Sequence, residues 1–510
     1  HQRPGSSHLH LSVEMKALLF SLLASATLAA AAPPPPYEIV DILTANSPSA
    51  SRSKDWKPSN GITLEVSGMD WMPDGKLAVA IRKGEVWTLD GVLGAPDQVR
   101  YQLFASGLHE PLGALWDGDS LLVTQRTEMT RLRDTDGDGV ADEYLTAGSG
   151  WNVSGAYHGY AYGPRRDGHG NLWVTLNVDM GDHSDNKAPW RGWGGIISSY
   201  GDFHPMVAGL RSPCGLGANL AGDMFCVDQQ GTWVGATPIY HFREGAFFLN
   251  PEGIASQNLP ASPLKLSAKV PEKVPYPEAV HALPEMRPPA VWLPYVKMGR
   301  SGTDLAVCNA GGKFGPFDGQ MMVAEFTDAK VSRVFLEKVD GEYQGAAFPF
   351  LNGFASGIVR LLFAPDGSLM VGMTSRGWSS LGTKSYGLQR VRWNGTTPFA
   401  IRAMHALPDG FELLFTQPVD PATAATPASY SMTNYTYFYS GAYGSDEIQT
   451  EPNPITTATV SEDHLRVHLK VDGLRELYVH ELHCNGVRSA TGAPLDHSDA
   501  YYTLNHRPKP

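Results

Sequence analysis

Asp134, Asp136 and Asp138 stand at alternate positions, followed by Gly139, Val140 and Asp142. This is the densest run of hard oxygen ligands in the chain. The spacing can gather carboxylates around one hard cation, with the glycine making the sharp turn. The Val140 carbonyl would follow in the ligand order, and Asp142 would act directly or through water. No glutamate closes the loop at the twelfth position. Bound Ca²⁺ in a structural role is expected, with a solvated acidic turn as the alternative. A second group is more scattered. Tyr157-His158-Gly159-Tyr160, then Asn177, Asp179 and Asp182, then Arg211-Ser212-Pro213, then Asp228-Gln229-Gln230-Gly231 place titratable and amide groups among aromatics. Any one of them is more often a satisfied loop residue than a functional one. Their recurrence at equivalent points of a repeat weighs the other way.

That repeat is set by six short apolar runs, each introduced by a turn. They are Gly75 to Val79, Asp119 to Val123, Gly170 to Val174, Gly222 to Cys226, Gly319 to Val323 and Gly367 to Val371. The anchors lie 44, 51, 52, 97 and 48 residues apart. A period near this length marks the blades of a propeller, whose loops converge at one end of the axis. The double interval contains the Pro-rich stretch Pro251 to Pro294, either an insertion or a disguised blade. Six blades are expected, with seven as the alternative. The polar loops of the third and fourth blades should then share a cleft.

Composition agrees with an all-β chain: Gly 54 and Pro 38 against 18% charged residues, in 510 residues. A net charge of −12 speaks against a nucleic-acid partner, which would require a basic face. Residues 1–32 read as an upstream stretch and a secretory signal, with Lys16 before the apolar run Ala17 to Leu28 and alanines after it. The run is too short for a comfortable membrane span, so no span is expected in the mature chain, which should be secreted or periplasmic. Residues 33–60 read as a Pro/Ser-rich lead-in, 61–396 as the propeller and 397–510 as an immunoglobulin-like β-sandwich of short alternating strands. The sandwich is expected to serve packing or carbohydrate contact. Cys214 and Cys226 flank one turn and could pair, or all four cysteines could be buried and free. No Cys-x-x-Cys-His haem attachment site is present.

His158, Tyr162-Gly163-Pro164, Gly170-Asn-Leu-Trp-Val-Thr, Gly209-Leu-Arg-Ser-Pro and Asp228-Gln229-Gln230-Gly231 together resemble the soluble glucose/sorbosone dehydrogenase family. Over nearly the whole mature chain the sequence also resembles secreted bacterial propellers labelled membrane-bound dehydrogenases. That second likeness includes Arg131 to Tyr144, Gly311 to Phe317, Ser375-Arg376-Gly377-Trp378 and Ala500 to Asn505. The first resemblance implies a six-bladed propeller using pyrroloquinoline quinone and calcium. His158 would be the general base for a sugar hydroxyl, with Asp179 or Asp182 orienting it or lining the site. Arg211 would hold the cofactor, Ser212 stands where the family usually has Asn, and Gln229 or Gln230 would offer oxygens to cofactor and calcium. The family places further cations near its last blade. Arg360 occupies that stretch here, and Lys297, Arg300 or Arg376 could substitute.

Three readings follow. The first is a secreted sugar or polyol dehydrogenase passing electrons to a separate acceptor. The second is a carbohydrate-active lyase or hydrolase using His158, Tyr157, Tyr160 and Arg211, acting on a polysaccharide. The third is a non-catalytic glycan-binding or scaffold propeller, with Trp151, Trp190, Trp193 and Trp378 as stacking surfaces.

Overall fold

A computed structural model describes residues 34–44, 63–153, 155–180 and 188–510. The expected signal segment lies outside them, as does Asp182. Pro36–Pro510 forms one compact unit.

Each of the six apolar runs becomes the second strand of a four-strand antiparallel meander. The first four meanders begin at Val66–Trp71, Ala114–Asp117, Ala161–Arg166 and Gly215–Ala218, and the last two at Gly302–Val307 and Ile358–Phe363. The recurring glycine has a conformational cause. Gly75, Gly170, Gly222, Gly319 and Gly367 all sit at φ 86–88°, and the remaining copy uses Gly118 at φ 65°. The turn into each second strand requires the left-handed region, which glycine enters without steric cost.

The first strand of each sheet touches the first strand of the next, and the sixth returns to the first. Side-chain hydroxyls staple neighbours together. Ser67 Oγ donates to Pro111 O at 2.5 Å, Thr175 Oγ1 to Pro213 O at 2.7 Å and Thr303 Oγ1 to Ile358 O at 2.6 Å. The approach is close enough that a Cβ on Gly113 would lie 2.0 Å from Gly163 O. The protein is therefore all-β and propeller-type.

One expectation changes here, and two open alternatives close. Tyr37–Thr44, assigned by composition to the lead-in, is a strand that pairs with Tyr386–Trp393 and completes the sixth sheet. The double interval forms no further four-stranded sheet. It is an insertion between the third strand of the fourth sheet, Thr237–His241, and its fourth, Val291–Leu293, and it carries the helix Tyr276–Ala282. Cys214 and Cys226 do not pair, and all four cysteines are free and buried.

After Trp393 the chain builds two further layers. One is a sheet of Ile401–Leu407, Gly410–Phe415, Arg466–Val471 and Ile455–Val460. The other contains Ser431–Tyr439, Tyr478–His483 and Asp499–Leu504, and it is continuous with the fifth meander through Gly345↔Thr503. Val467, Leu469 and Val471 face the shared core while Arg466, His468 and Lys470 alternate outward, the period of a half-buried strand. Phe411, Leu413 and Tyr502 fill the space between the layers. Among the described residues no helix is long and apolar enough to cross a membrane.

Candidate functional site

In an antiparallel meander the entry to strand one and the exit of strand two lie at the same end. Every sheet thus sends two loops to one end of the ring. Arg82, Arg126, Met180, Gln229, Thr327 and Trp378 follow second strands; His158, Arg211 and Arg300 precede first strands. Most of these groups, with Tyr160, Ser212, Gln230, Tyr295 and Tyr443, line one cavity of about 350 Å³. His158, Arg211, Ser212, Gln229 and Gln230 are therefore brought together. Three guanidinium groups line this cavity (Arg82, Arg211 and Arg300), and no carboxylate does among the described residues.

His158 is half-buried within rings: Tyr157 at 5.2 Å, Trp378 at 5.9 Å and Tyr160 at 6.2 Å between centroids. Burial lowers its pKa below the usual histidine value, and the cations Arg211 and Arg126 lower it further. At neutral pH the imidazole is uncharged and can accept a proton.

Two arginines position this cage through one shared acid. Glu110 pairs with Arg82 on one oxygen and with Arg126 at 2.7 Å on the other. Arg126 donates to Tyr157 O at 2.7 Å, holding the loop that presents His158. Arg82 donates to Arg376 O at 2.9 Å, holding the loop that presents Trp378. Both guanidiniums lie near the Tyr160 ring, at 5.5 and 4.7 Å from its centroid.

Arg211 has no carboxylate partner for its side chain among the described residues. Its Nε donates to Thr232 Oγ1 at 3.3 Å, and the guanidinium lies 5.2 Å from the centre of the Tyr443 ring. Its backbone is fixed by Asp228, which accepts from the N–H groups of Arg211 at 2.7 Å, Ser212 at 2.6 Å and Gln229 at 2.8 Å. One buried carboxylate thus locks together the two loops that carry four of the expected site residues.

Other expected positions lie elsewhere. Arg360 is buried and does not line the cavity. It donates to the carbonyls of Leu112 at 2.5 Å, Val359 at 2.7 Å, Thr303 at 3.2 Å and Cys214 at 3.4 Å, bridging four sheets. Arg376 pairs with Glu65 at 2.5 Å, outside the lining. Lys297 is held between Glu447 and Glu481. Arg300 does reach the cavity, with Asp328 at 3.6 Å from its Nε. Asp179 is buried in an adjacent smaller cavity, where its Oδ2 accepts from Ala188 N at 3.3 Å. No hydrogen bond joins Asp179 to His158 among the described residues.

The acidic loop lies between the third and fourth strands of the second sheet. One oxygen from each of Asp134, Asp136 and Asp138 lies within 4.8 Å of the others, an arrangement that fits a hard cation. Asp142 is outside this convergence. Its two oxygens accept from Thr135 N at 3.1 Å and Thr135 Oγ1 at 2.6 Å. Val140 donates its N–H to Asp138 and is exposed.

Arg82, Glu110, Arg126 and Tyr443 escaped the sequence reading. Arg82 and Arg126 carry a readable signal. Arg82 directly follows the first repeat's strand and Arg126 the second's, at the phase that Gln229 occupies in the fourth.

Fold and site together define an all-β, propeller-type protein with a cation-rich, aromatic-walled cavity at one end of the ring. No protein-family model matches the sequence, and no curated protein matches it. Solved structures do resemble it. One is the aldose sugar dehydrogenase of Streptomyces coelicolor in its PQQ-bound form, at 13% identity and a TM-score of 0.46, with 71% of this chain and 99% of that chain covered. The soluble aldose sugar dehydrogenase of Escherichia coli, in the apo form, gives 13% and 0.47, with 70% and 100% covered. A luciferin-regenerating enzyme gives 11% and 0.42, with 71% and 98% covered. These scores are too low to transfer an activity to this chain, and the neighbours themselves differ in chemistry.

Proposed function

We propose that the protein is a sugar or polyol dehydrogenase whose cavity accepts pyrroloquinoline quinone. The observation carrying this reading is a cavity with three guanidinium groups, a half-buried neutral histidine and, among the described residues, no lining carboxylate. Such a wall suits a planar polyanion. Arg211, whose side chain has no carboxylate partner among the described residues, would take the first carboxylate of the group, with Arg82 and Arg300 beside it. When bound, the quinone would supply the acceptor for the hydride leaving the hydroxyl-bearing carbon. His158 takes the hydroxyl proton, and the rings of Tyr157, Tyr160 and Trp378 exclude water and stack on the sugar. Gln229 and Gln230 orient hydroxyls or cofactor oxygens. Arg360 and Arg376 serve the fold in this reading. Asp179 would act only through the loop it shares with Met180.

The six meanders would be six blades, and the two C-terminal layers an immunoglobulin-like sandwich. Ca²⁺ held by Asp134, Asp136 and Asp138 would brace the second blade. A secreted or periplasmic chain without a haem site would pass its electrons to a separate acceptor.

The test is calorimetric titration of the protein with the quinone, with and without Ca²⁺, followed by dye reduction with a panel of sugars. Saturable quinone binding, sugar-dependent dye reduction and loss of turnover in His158→Ala support the reading. No quinone binding overturns it. Release of an unsaturated uronate product or glycan binding without turnover would favour the lyase or the binding protein instead.

A further inference from the structure

A second cavity, of about 560 Å³, opens beside the first and shares Gln230, Tyr295 and Tyr443 with it. The shared wall is built from the far end of the sequence. Tyr443 stands on the turn between the strands Ser431–Tyr439 and Glu447–Pro452. That turn is pinned to the loop following Gln230. Gly444 N donates to Gly231 O at 2.9 Å, Ser445 N to Gly235 O at 3.2 Å and Trp233 N to Ala442 O at 3.3 Å. The fit is tight at Gly444, where a Cβ would lie 1.9 Å from Gln230 Nε2.

Tyr443 is therefore an aromatic on a fixed backbone, 68% exposed, at the border of two cavities, with its ring beside the Arg211 guanidinium. Tyr295 on the same border and Phe438 in the second cavity are also exposed, and Ser440 and Ser445 line that second cavity. Apolar ring faces interspersed with small hydroxyls match the faces and edges of pyranose rings.

We propose that the two cavities form one groove for a carbohydrate chain rather than a single sugar. The terminal ring lies at His158, and following rings cross Tyr443 toward Phe438. This rests on the reading of the first cavity as a sugar site. It adds a substrate class and gives the C-terminal part of the chain a role in recognition.

The experiment is calorimetric titration of the full chain, without quinone, using two series of probes: β-1,4-linked glucose oligomers and galacturonate oligomers, each from the single sugar upward. In one series affinity should rise about tenfold when the added ring reaches Tyr443, the change that ~1.4 kcal/mol produces. In Tyr443→Ala the ratio of oligomer to single-sugar affinity should fall to near one, and Tyr443→Trp should retain it. Length-independent affinity in both series, no binding in either, or an unchanged ratio in Tyr443→Ala overturns the proposal. Dye reduction with single sugars is measured separately. Length-dependent binding without oxidation removes the dehydrogenase reading and leaves the groove, and oxidation without length dependence does the reverse.

Discussion

Replacing Asp228 with asparagine keeps the side chain's shape and removes its charge. The carboxylate is fully buried, and three backbone N–H groups point at it. Burial raises its pKa from 3.8 to about 6, against the lowering effect of those three bonds. The unfolded chain gives up this proton near its ordinary value and the folded chain only near 6. Between those values the folded state binds more protons, so a rise in pH destabilises it. The contribution is fully present below the unfolded pKa and is lost as pH rises through about 6. At 1.36 kcal/mol per unit the loss comes to about 3 kcal/mol. Asparagine has no such dependence. Its oxygen can accept from Ser212 and Gln229, while its amide nitrogen faces the Arg211 N–H, donor against donor. That mismatch costs about 1–3 kcal/mol at every pH. Asp228→Asn should therefore be less stable than the native protein near pH 4, and the gap should close or reverse near pH 7. Urea midpoints of both proteins across that range measure it. Parallel pH profiles would refute the argument, because they would mean that Asp228 does not titrate between the two pKa values.

Arg211→Gln removes one of the charges that hold the His158 pKa down, so that pKa should rise. An NMR titration of the imidazole shows this directly, and the acid limb of any pH–rate profile should move to higher pH with it. Glu110→Gln leaves Arg82 and Arg126 without their shared counter-ion; a loss of about 3 kcal/mol in a urea melt is expected, with altered Trp378 fluorescence as its loop loosens. Arg360→Met strands carbonyls from four sheets and should cost on the order of 4 kcal/mol, read as a lower thermal midpoint. If Ca²⁺ occupies the acidic loop, a hundredfold excess over its Kd should add about 2.7 kcal/mol to stability, and Asp134→Ala should abolish that increment.

The six strands were legible because one physical demand, a left-handed residue before each second strand, left the same short signature in every copy. That His158, Arg211 and Gln229 lie at one end of the ring was legible for a related reason, since the first two lead into first strands and the third leaves a second strand. Pairings between distant segments left no such mark. Nothing in the composition near Tyr37 tells that it will pair with Trp393, and nothing near Thr503 names Gly345. Arg360 was misread because a lone arginine on a strand looks the same whether it faces a ligand or four carbonyls. The Arg82–Glu110–Arg126 triad has one member in each of three loops, and only the folded ring shows that they meet. Tyr443 belongs to a segment whose alternation announced a separate layer, so its arrival at the cavity was hidden.

The pairing of Tyr37–Thr44 with Tyr386–Trp393 also has a temporal meaning. The ring is clasped by its first and last strands, and hundreds of residues must be laid down between them. Until Trp393 exists the first strand has no partner, and afterwards the sixth sheet presents an open edge until that strand returns. Closing so long a loop is entropically slow, and an unpaired edge is adhesive while it waits. An incomplete chain, or one that has lost Tyr37–Thr44, should therefore fail by sticking to its own copies and not by loosening, because the same edge that closes one ring can capture another molecule's strand.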